Sequence, residues 1–307
     1  MKRTYAADLT LLFVVFIWGA TFVMVQNAIS FLAPFTFNAV RFLLAFILLS
    51  AWYLLFGRGS KPVWTRDLVT DGCKIGIWLF LGYAFQTVGL LTTTPSKAGF
   101  ITGLSVVLVP LFSMMLLKQK PSKNALIGVS AATTGLYLMT VVESSTLTRG
   151  DFYVFLCAIS FALHIIMTAK FASKHPSLPL TMVQILTVAL LSAVSGVIFN
   201  ENTSVIFNAE VMLRTEVWIA LTVTSVLATA FAFLAQTYFQ AFTSATRVAL
   251  IFAMEPVFAA ITSYFWVNER LTAAAIIGCL FIFAGMIFAE LPSKPKSKKN
   301  TVLSNEI

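Results

Sequence analysis

Long apolar runs, cut by short clusters of charge or of Pro, Gly and Asn, occupy most of this chain. In the first part they fall at about residues 7–25, 35–56, 72–92, 98–117 and 125–141, and in the second at about 151–170, 180–199, 216–240, 244–267 and 273–290. At ~1.5 Å per residue, an uninterrupted run of about 20 residues crosses the ~30 Å hydrocarbon layer of a bilayer as one helix. A soluble domain would instead show short apolar runs split by charge. The pattern predicts an all-α integral membrane protein with ten transmembrane helices.

The second five runs repeat the first five. An offset of 150 residues pairs Gln86-Thr87 with Gln236-Thr237, Thr93-Thr94 with Thr243-Ser244, Lys97 with Arg247, Ile127-Gly128 with Ile277-Gly278, and Gly135 with Gly285. For the first two helices of each half the offset is 143, which places Asp8 on Asp151 and Arg41 on Gln184, so the seven-residue difference falls between helices seven and eight. The chain therefore divides into a five-helix repeat over residues 1–142, a second over 143–291, and a Lys-rich tail over 292–307 that is expected to be disordered. Five is odd, so the second copy enters the membrane from the opposite face. The halves are expected to be inverted repeats about a pseudo-two-fold axis in the membrane plane. Such halves can exchange conformations around a site near the midplane, the design of a transporter.

Composition and charge agree. Only 11% of the residues are charged and 59% are hydrophobic, against roughly 25% charged in soluble domains. A net charge of +9 would suit nucleic acid if it formed a stripe, but the basic residues sit in the connectors. With ten spans, sixteen of them lie at the ends shared with the termini and only Lys97, Arg149, Arg214 and Arg270 at the other ends. That bias puts both termini in the cytoplasm. Met1-Lys2-Arg3 and the run from Leu9 read as a first helix rather than a signal peptide. Cys73, Cys157 and Cys279 lack the spacing of a metal or redox motif, and His164 and His175 are the only histidines. No metal-ligand pair, nucleotide-binding motif or Gly-x-Ser-x-Gly elbow occurs, so neither an enzyme nor a cofactor is expected. The expected partners are the lipid bilayer, a small-molecule substrate and a coupling proton, with no nucleic acid.

Particular residues carry a resemblance. Trp18-Gly19 with Phe22 in the first helix, Arg41-Phe42 opening the second, Thr243-Ser244-Ala245-Thr246-Arg247 leading to Met254-Glu255-Pro256-Val257-Phe258-Ala259-Ala260, and Asn268-Glu269-Arg270-Leu271-Thr272 before the tenth helix resemble the drug/metabolite transporter superfamily. Within it they resemble the ten-helix EamA-type exporters, over the whole chain to about Glu290. The first half departs from the second, with Val106 where Pro256 stands and Lys118-Gln119-Lys120 where Asn268-Glu269-Arg270 stands. The resemblance implies efflux of small metabolites or drugs from the cytoplasm through a bacterial plasma membrane, driven by an ion or substrate gradient. Inverted repeats serve uptake equally, and a channel or a non-transport scaffold are the other readings open to the sequence.

Few polar residues lie inside the apolar runs, and those that do are candidates for binding or coupling, because an ionisable side chain in hydrocarbon costs ~2.5–3.5 kcal/mol on insertion scales. Glu255 sits too deep to snorkel, beside Pro256, which removes a backbone donor. It is either a coupling carboxylate or amine anchor, or a structural group that caps freed backbone or pairs with a basic residue. Arg41 could hold a substrate carboxylate through its planar fork or snorkel to the surface. Gln86 and Gln236 are repeat equivalents expected about the midplane, and Tyr83 shares the face of Gln86. Their amides and phenol suit neutral or zwitterionic solutes; the alternative is hydrogen bonding between helices. Trp18 lies mid-helix, away from the interfacial belt, and either lines the pathway or packs at Gly19. His164 could relay protons or be a satisfied packing residue. Gly128, Gly135, Gly278 and Gly285 are expected at a close helix contact, and Asp8 and Asp151 at helix N-termini, which a carboxylate can cap.

Overall fold

The computed structural model of the chain describes residues 2–56, 64–118, 120–141, 148–267 and 272–290. The long helices are numbered here α1 (Lys2–Ala28), α2 (Pro34–Phe56), α3 (Arg66–Gly89), α4 (Pro95–Leu117), α5 (Lys123–Val141), α6 (Arg149–Phe171), α7 (Ser177–Ile198), α8 (Thr215–Gln240), α9 (Ala245–Phe252 and Glu255–Val267) and α10 (Ala273–Glu290). No strand occurs among the described residues. Eight stretches, α1–α4 and α6–α9, are long and apolar enough to cross a membrane. The shorter α5 and α10 pack against each other. Exposed apolar side chains such as Leu43, Ile47 and Leu54 on α2 and Ile276, Leu280 and Phe283 on α10 suit contact with acyl chains, and the chain is a multi-pass membrane protein. The Lys-rich tail over 292–307, the connector residues Arg58, Lys61 and Asn268–Leu271, and the boundary between the two halves at 142–143 lie outside the described residues.

The helix starts differ from the hydropathy pattern where polar residues lie inside a helix. Helix α3 begins at Arg66 rather than near Gly72, because Thr65 accepts from the Leu68 N–H at 3.2 Å and caps it. Helix α1 begins at Lys2, so Asp8 lies inside it and does not cap it. Asp151 does cap α6: Thr148 and Asp151 hydrogen-bond to each other's backbone N–H groups in a capping box. The connector before α8 spans residues 199–214, seven longer than the one before α3 at 57–65. It carries two short helical turns, Thr203–Phe207 and Ala209–Met212.

Two of the long helices are broken. Helix α4 tightens at Leu104, whose N–H bonds to the Ile101 carbonyl at 3.1 Å, and α9 tightens at Met254, whose N–H bonds to the Ile251 carbonyl at 3.1 Å. These residues are repeat equivalents, 150 apart. Only α9 has a proline next to the break, Pro256 in the first turn of its second segment, where the missing N–H is tolerated. The break is therefore a property of the repeat rather than of proline. Helices α4 and α8 also each contain a π-helical turn, Ser113–Leu117 and Val226–Phe231.

The packing of the first half on the second maps onto itself when the halves are exchanged. Helix α2 packs on its equivalent α7, α4 on α9 and α5 on α10; α3 packs on α6 as α8 does on α1, and α1 on α9 as α6 does on α4. At the α5–α10 crossing a Cβ on Gly135 would strike the Gly278 carbonyl oxygen, and one on Gly285 would lie 2.6 Å from that of Gly128. Numbers rise on one helix as they fall on the other, so the pair is antiparallel and the four glycines meet at one crossing, as their spacing predicts. Gly285→Leu is expected to lower stability by roughly 1–3 kcal/mol by forcing these backbones apart, seen as a fall in melting temperature in detergent that Ile276→Leu, on an exposed side chain, does not produce. An unchanged melting temperature would mean the helices do not meet there.

A candidate substrate cavity

One cavity of about 620 Å³, including its open mouth, lies among α1, α2, α3, α4, α6, α8 and α9. Trp18, Arg41, Tyr83, Gln86, His164, Gln236 and Glu255, the seven residues singled out from the sequence, all line it. So do residues that the sequence reading passed over, among them Thr21, Thr102, Ser105, Phe161, Phe233 and Phe252. The repeat offsets contain the missing signal. Trp18 and Phe161, Thr21 and His164, and Phe22 and Ile165 are 143 apart; Tyr83 and Phe233, Gln86 and Gln236, Thr102 and Phe252, and Ser105 and Glu255 are 150 apart. The cavity is thus built of equivalent positions from both halves. Applying the offsets to every polar candidate, rather than to the glutamines alone, would have found most of its wall.

The arginine is held by a feature no pattern of apolar residues reveals. The π-helical turn in α8 presents Thr229 and the Ala228 carbonyl. Arg41 Nε donates to Thr229 Oγ1 at 2.7 Å, and its Nη2 donates to the Ala228 carbonyl and to the Tyr83 hydroxyl, each at 3.3 Å. Its guanidinium carbon lies 4.6 Å from the Tyr83 ring centroid. Arg41 is buried, 3% exposed, so it does not snorkel. The remaining nitrogen, Nη1, hydrogen-bonds to no described residue. Trp18 Nε1 donates to the same Ala228 carbonyl at 2.9 Å, and its ring meets Phe252 edge-on at 4.9 Å.

Glu255 opens the second segment of α9 directly after the break, where the partial positive charge of a helix N-terminus favours a carboxylate. Gly19 of α1 packs there so closely that a Cβ would lie 2.8 Å from the Glu255 carbonyl oxygen. Glu255 is 91% buried. Among the described residues no group hydrogen-bonds to its carboxyl and no cation pairs with it. Gln236 is similar in part: its Nε2 donates to Gln240 Oε1 at 3.2 Å, while its own Oε1 is buried without a partner. Gln86 Nε2 donates weakly to Thr102 Oγ1 at 3.4 Å.

His164 is satisfied on one side. Gln184 gives its amide N–H to Thr237 Oγ1 at 2.9 Å, which turns its oxygen toward His164 Nε2 at 3.2 Å. The Thr168 hydroxyl lies 3.5 Å from the same ring nitrogen. Gln184 is the repeat equivalent of Arg41, so the same position braces the cavity wall in both halves with different chemistry.

Comparison with known proteins agrees with this architecture. The model of the EamA-like transporter family matches the chain twice, over residues 5–141 and 148–290. The chain belongs to the EamA-like transporter family. It is 35% identical over 295 residues to an uncharacterized transporter of Archaeoglobus fulgidus, covering 95% of this chain and 87% of that protein. It is 23% identical over 278 residues to the uncharacterized transporter YyaM of Bacillus subtilis, covering 88% and 89% of the two. A solved crystal structure shares the fold with a TM-score of 0.75 at 19% identity, covering 93% of this chain and 98% of that one. As an EamA-like transporter the protein works in a lipid bilayer on a small-molecule substrate.

If the π-helical turn holds the arginine as described, Arg41→Lys and Thr229→Ala act on one interaction. Each is expected to cost roughly 1–3 kcal/mol, and the double variant to cost less than the sum by at least about 0.5 kcal/mol, measured by thermal unfolding in detergent. Strict additivity would show that the two side chains are uncoupled.

Proposed function

We propose that this EamA-like protein is a secondary transporter of the plasma membrane that exports a small metabolite or drug carrying both a cationic and an anionic group, by alternating access and in exchange for protons. In this reading ten helices cross the bilayer as two inverted five-helix repeats with both termini cytoplasmic, in agreement with the distribution of Lys and Arg.

The observation that carries the proposal is the unpartnered carboxyl of Glu255, buried at a helix break and facing the cavity. A carboxyl there needs a partner from outside the protein, either a proton or the cationic end of a solute. One carboxyl does not hold both. Proton arrival from outside therefore releases the solute, and solute arrival from inside releases the proton, which couples inward proton flow to efflux. Arg41 Nη1 offers an anchor for the anionic group, and the rings of Trp18, Tyr83, Phe161, Phe233 and Phe252 take the apolar body of the solute. The breaks in α4 and α9 flank the cavity and supply the half-helix ends and hinge points that a transporter with exchangeable halves requires.

Cells producing the native chain are expected to accumulate in their medium an amine-bearing solute that cells producing Glu255→Gln, at equal membrane abundance, do not. In liposomes, pH-gradient-driven flux of that solute is expected to fall at least about tenfold in Glu255→Gln, equivalent to ~1.4 kcal/mol, while Arg41→Lys loses anionic and zwitterionic solutes selectively. Undiminished proton-driven flux in Glu255→Gln would overturn the proposal.

A further inference from the structure

Two ion pairs stand at equivalent positions of the two halves. Arg247 of α9 grips Asp8 of α1 with two hydrogen bonds, Nη2 to Oδ2 at 2.6 Å and Nε to Oδ1 at 3.2 Å. Lys97 of α4 pairs with Asp151 of α6 at 2.5 Å. Asp8 and Asp151 are 143 apart, and Lys97 and Arg247 are 150 apart, the offsets of the repeat. Even the supporting caps are equivalent: Thr94 Oγ1 accepts from the Lys97 N–H and Ser244 Oγ from the Arg247 N–H. Each pair ties together two helices that line the cavity, α1 with α9 and α4 with α6. Each lies in the N-terminal part of its two helices, and in the inverted arrangement those parts are on opposite faces of the membrane.

We infer that these ion pairs are the latches of the two gates, Asp8–Arg247 on the cytoplasmic side and Lys97–Asp151 on the outer side, and that their unequal strength sets the resting orientation of the transporter. This rests on the alternating-access reading above. Opening either mouth requires the two helices flanking it to part, which breaks the pair at that face and leaves the other intact. The outer latch is the more deeply set. Lys97 and Asp151 are 14% and 4% exposed, against 31% and 23% for Arg247 and Asp8. Asp151 also accepts from Thr93 Oγ1 at 2.7 Å and from the Thr148 N–H at 2.7 Å. Beside it Gln26 of α1 donates to the Thr93 and Leu90 carbonyls at 2.9 and 3.1 Å, joining a third helix to the same end. Water and salt screen the more exposed inner pair, so it holds its helices together less strongly. The outer gate is therefore closed at rest and the cavity opens first to the cytoplasm, the side from which an exporter takes its load.

The test needs no knowledge of the substrate. With Cys73, Cys157 and Cys279 replaced, a single reporter cysteine at Ser105 in the cavity is labelled by a membrane-impermeant maleimide, from outside in intact cells and from inside in inverted vesicles. The parent is expected to label mainly from the cytoplasmic side. Lys97→Gln, which leaves the Thr148–Asp151 capping box in place, and Asp151→Asn should each raise the outside-to-inside labelling ratio about tenfold or more. Asp8→Asn should move it the opposite way by about threefold, and Asp8→Arg combined with Arg247→Asp should restore the parent ratio. A shift with Asp151→Asn but not with Lys97→Gln would reduce the outer pair to a helix cap and overturn the inference, as would variants of both pairs moving the ratio in the same direction. One-sided labelling that no variant moves would overturn the latches alone. Equal labelling from both faces in the parent would overturn alternating access itself.

Discussion

In hydrocarbon a backbone N–H or C=O without a partner costs several kcal/mol, so a helix inside the bilayer can be interrupted only where protein or a water-filled cavity receives the freed groups. The breaks at Leu104 and Met254 meet that condition. Each is closed by a tightened turn, and each lies between helices of both halves rather than toward lipid. Gly19 brings α1 onto the α9 break, and Gly103 brings α4 to within 3.3 Å of Pro256 for a Cβ placed there. Because the helices restart at Ser105 and Glu255, those side chains face the space left on the two-fold relation between the halves. The cavity, its carboxyl and the packing of seven helices around it all follow from where the backbone is permitted to break.

Symmetry places the site, and departures from symmetry give it chemistry. Ser105 stands where the other half has Glu255, Thr21 where it has His164, Tyr83 where it has Phe233, and Arg41 where it has Gln184. The ionisable groups of the cavity, Arg41 and Glu255, come from different halves, and neither forms an ion pair among the described residues. Such a site has a head and a tail although its frame has neither. The same holds at the two ion pairs, where an arginine bridged by two hydrogen bonds and a more deeply buried lysine occupy equivalent places.

The order of helices, the duplication and the candidate residues were legible because each leaves a one-dimensional trace: apolar runs set by the thickness of hydrocarbon, a constant offset, and rare polar residues inside the runs. Helix starts were misplaced at Lys2 and Arg66, since polar first turns carry no apolar signal. Pro256 marks the break in α9, but the break in α4 and the π-helical turn of α8 left no trace, because Leu104 and the run from Val226 to Phe231 read as continuous helix. Asp8 read as a cap because it opens the apolar run, and only the approach of α9 makes it half of an ion pair.

The sequence by itself determined that this is a duplicated all-helical membrane protein of the EamA-like type, because solvent, here a bilayer, acts on each residue along the chain independently of distant neighbours. Only the tertiary structure decided that seven scattered residues surround one cavity, that Arg41 is buried against α8 instead of reaching the surface, and that Glu255 has no partner among the described residues. Those are statements about which atoms meet across more than a hundred residues of chain. Such meetings are set by how closely glycine-bearing helices can pack, not by any local preference of the residues involved.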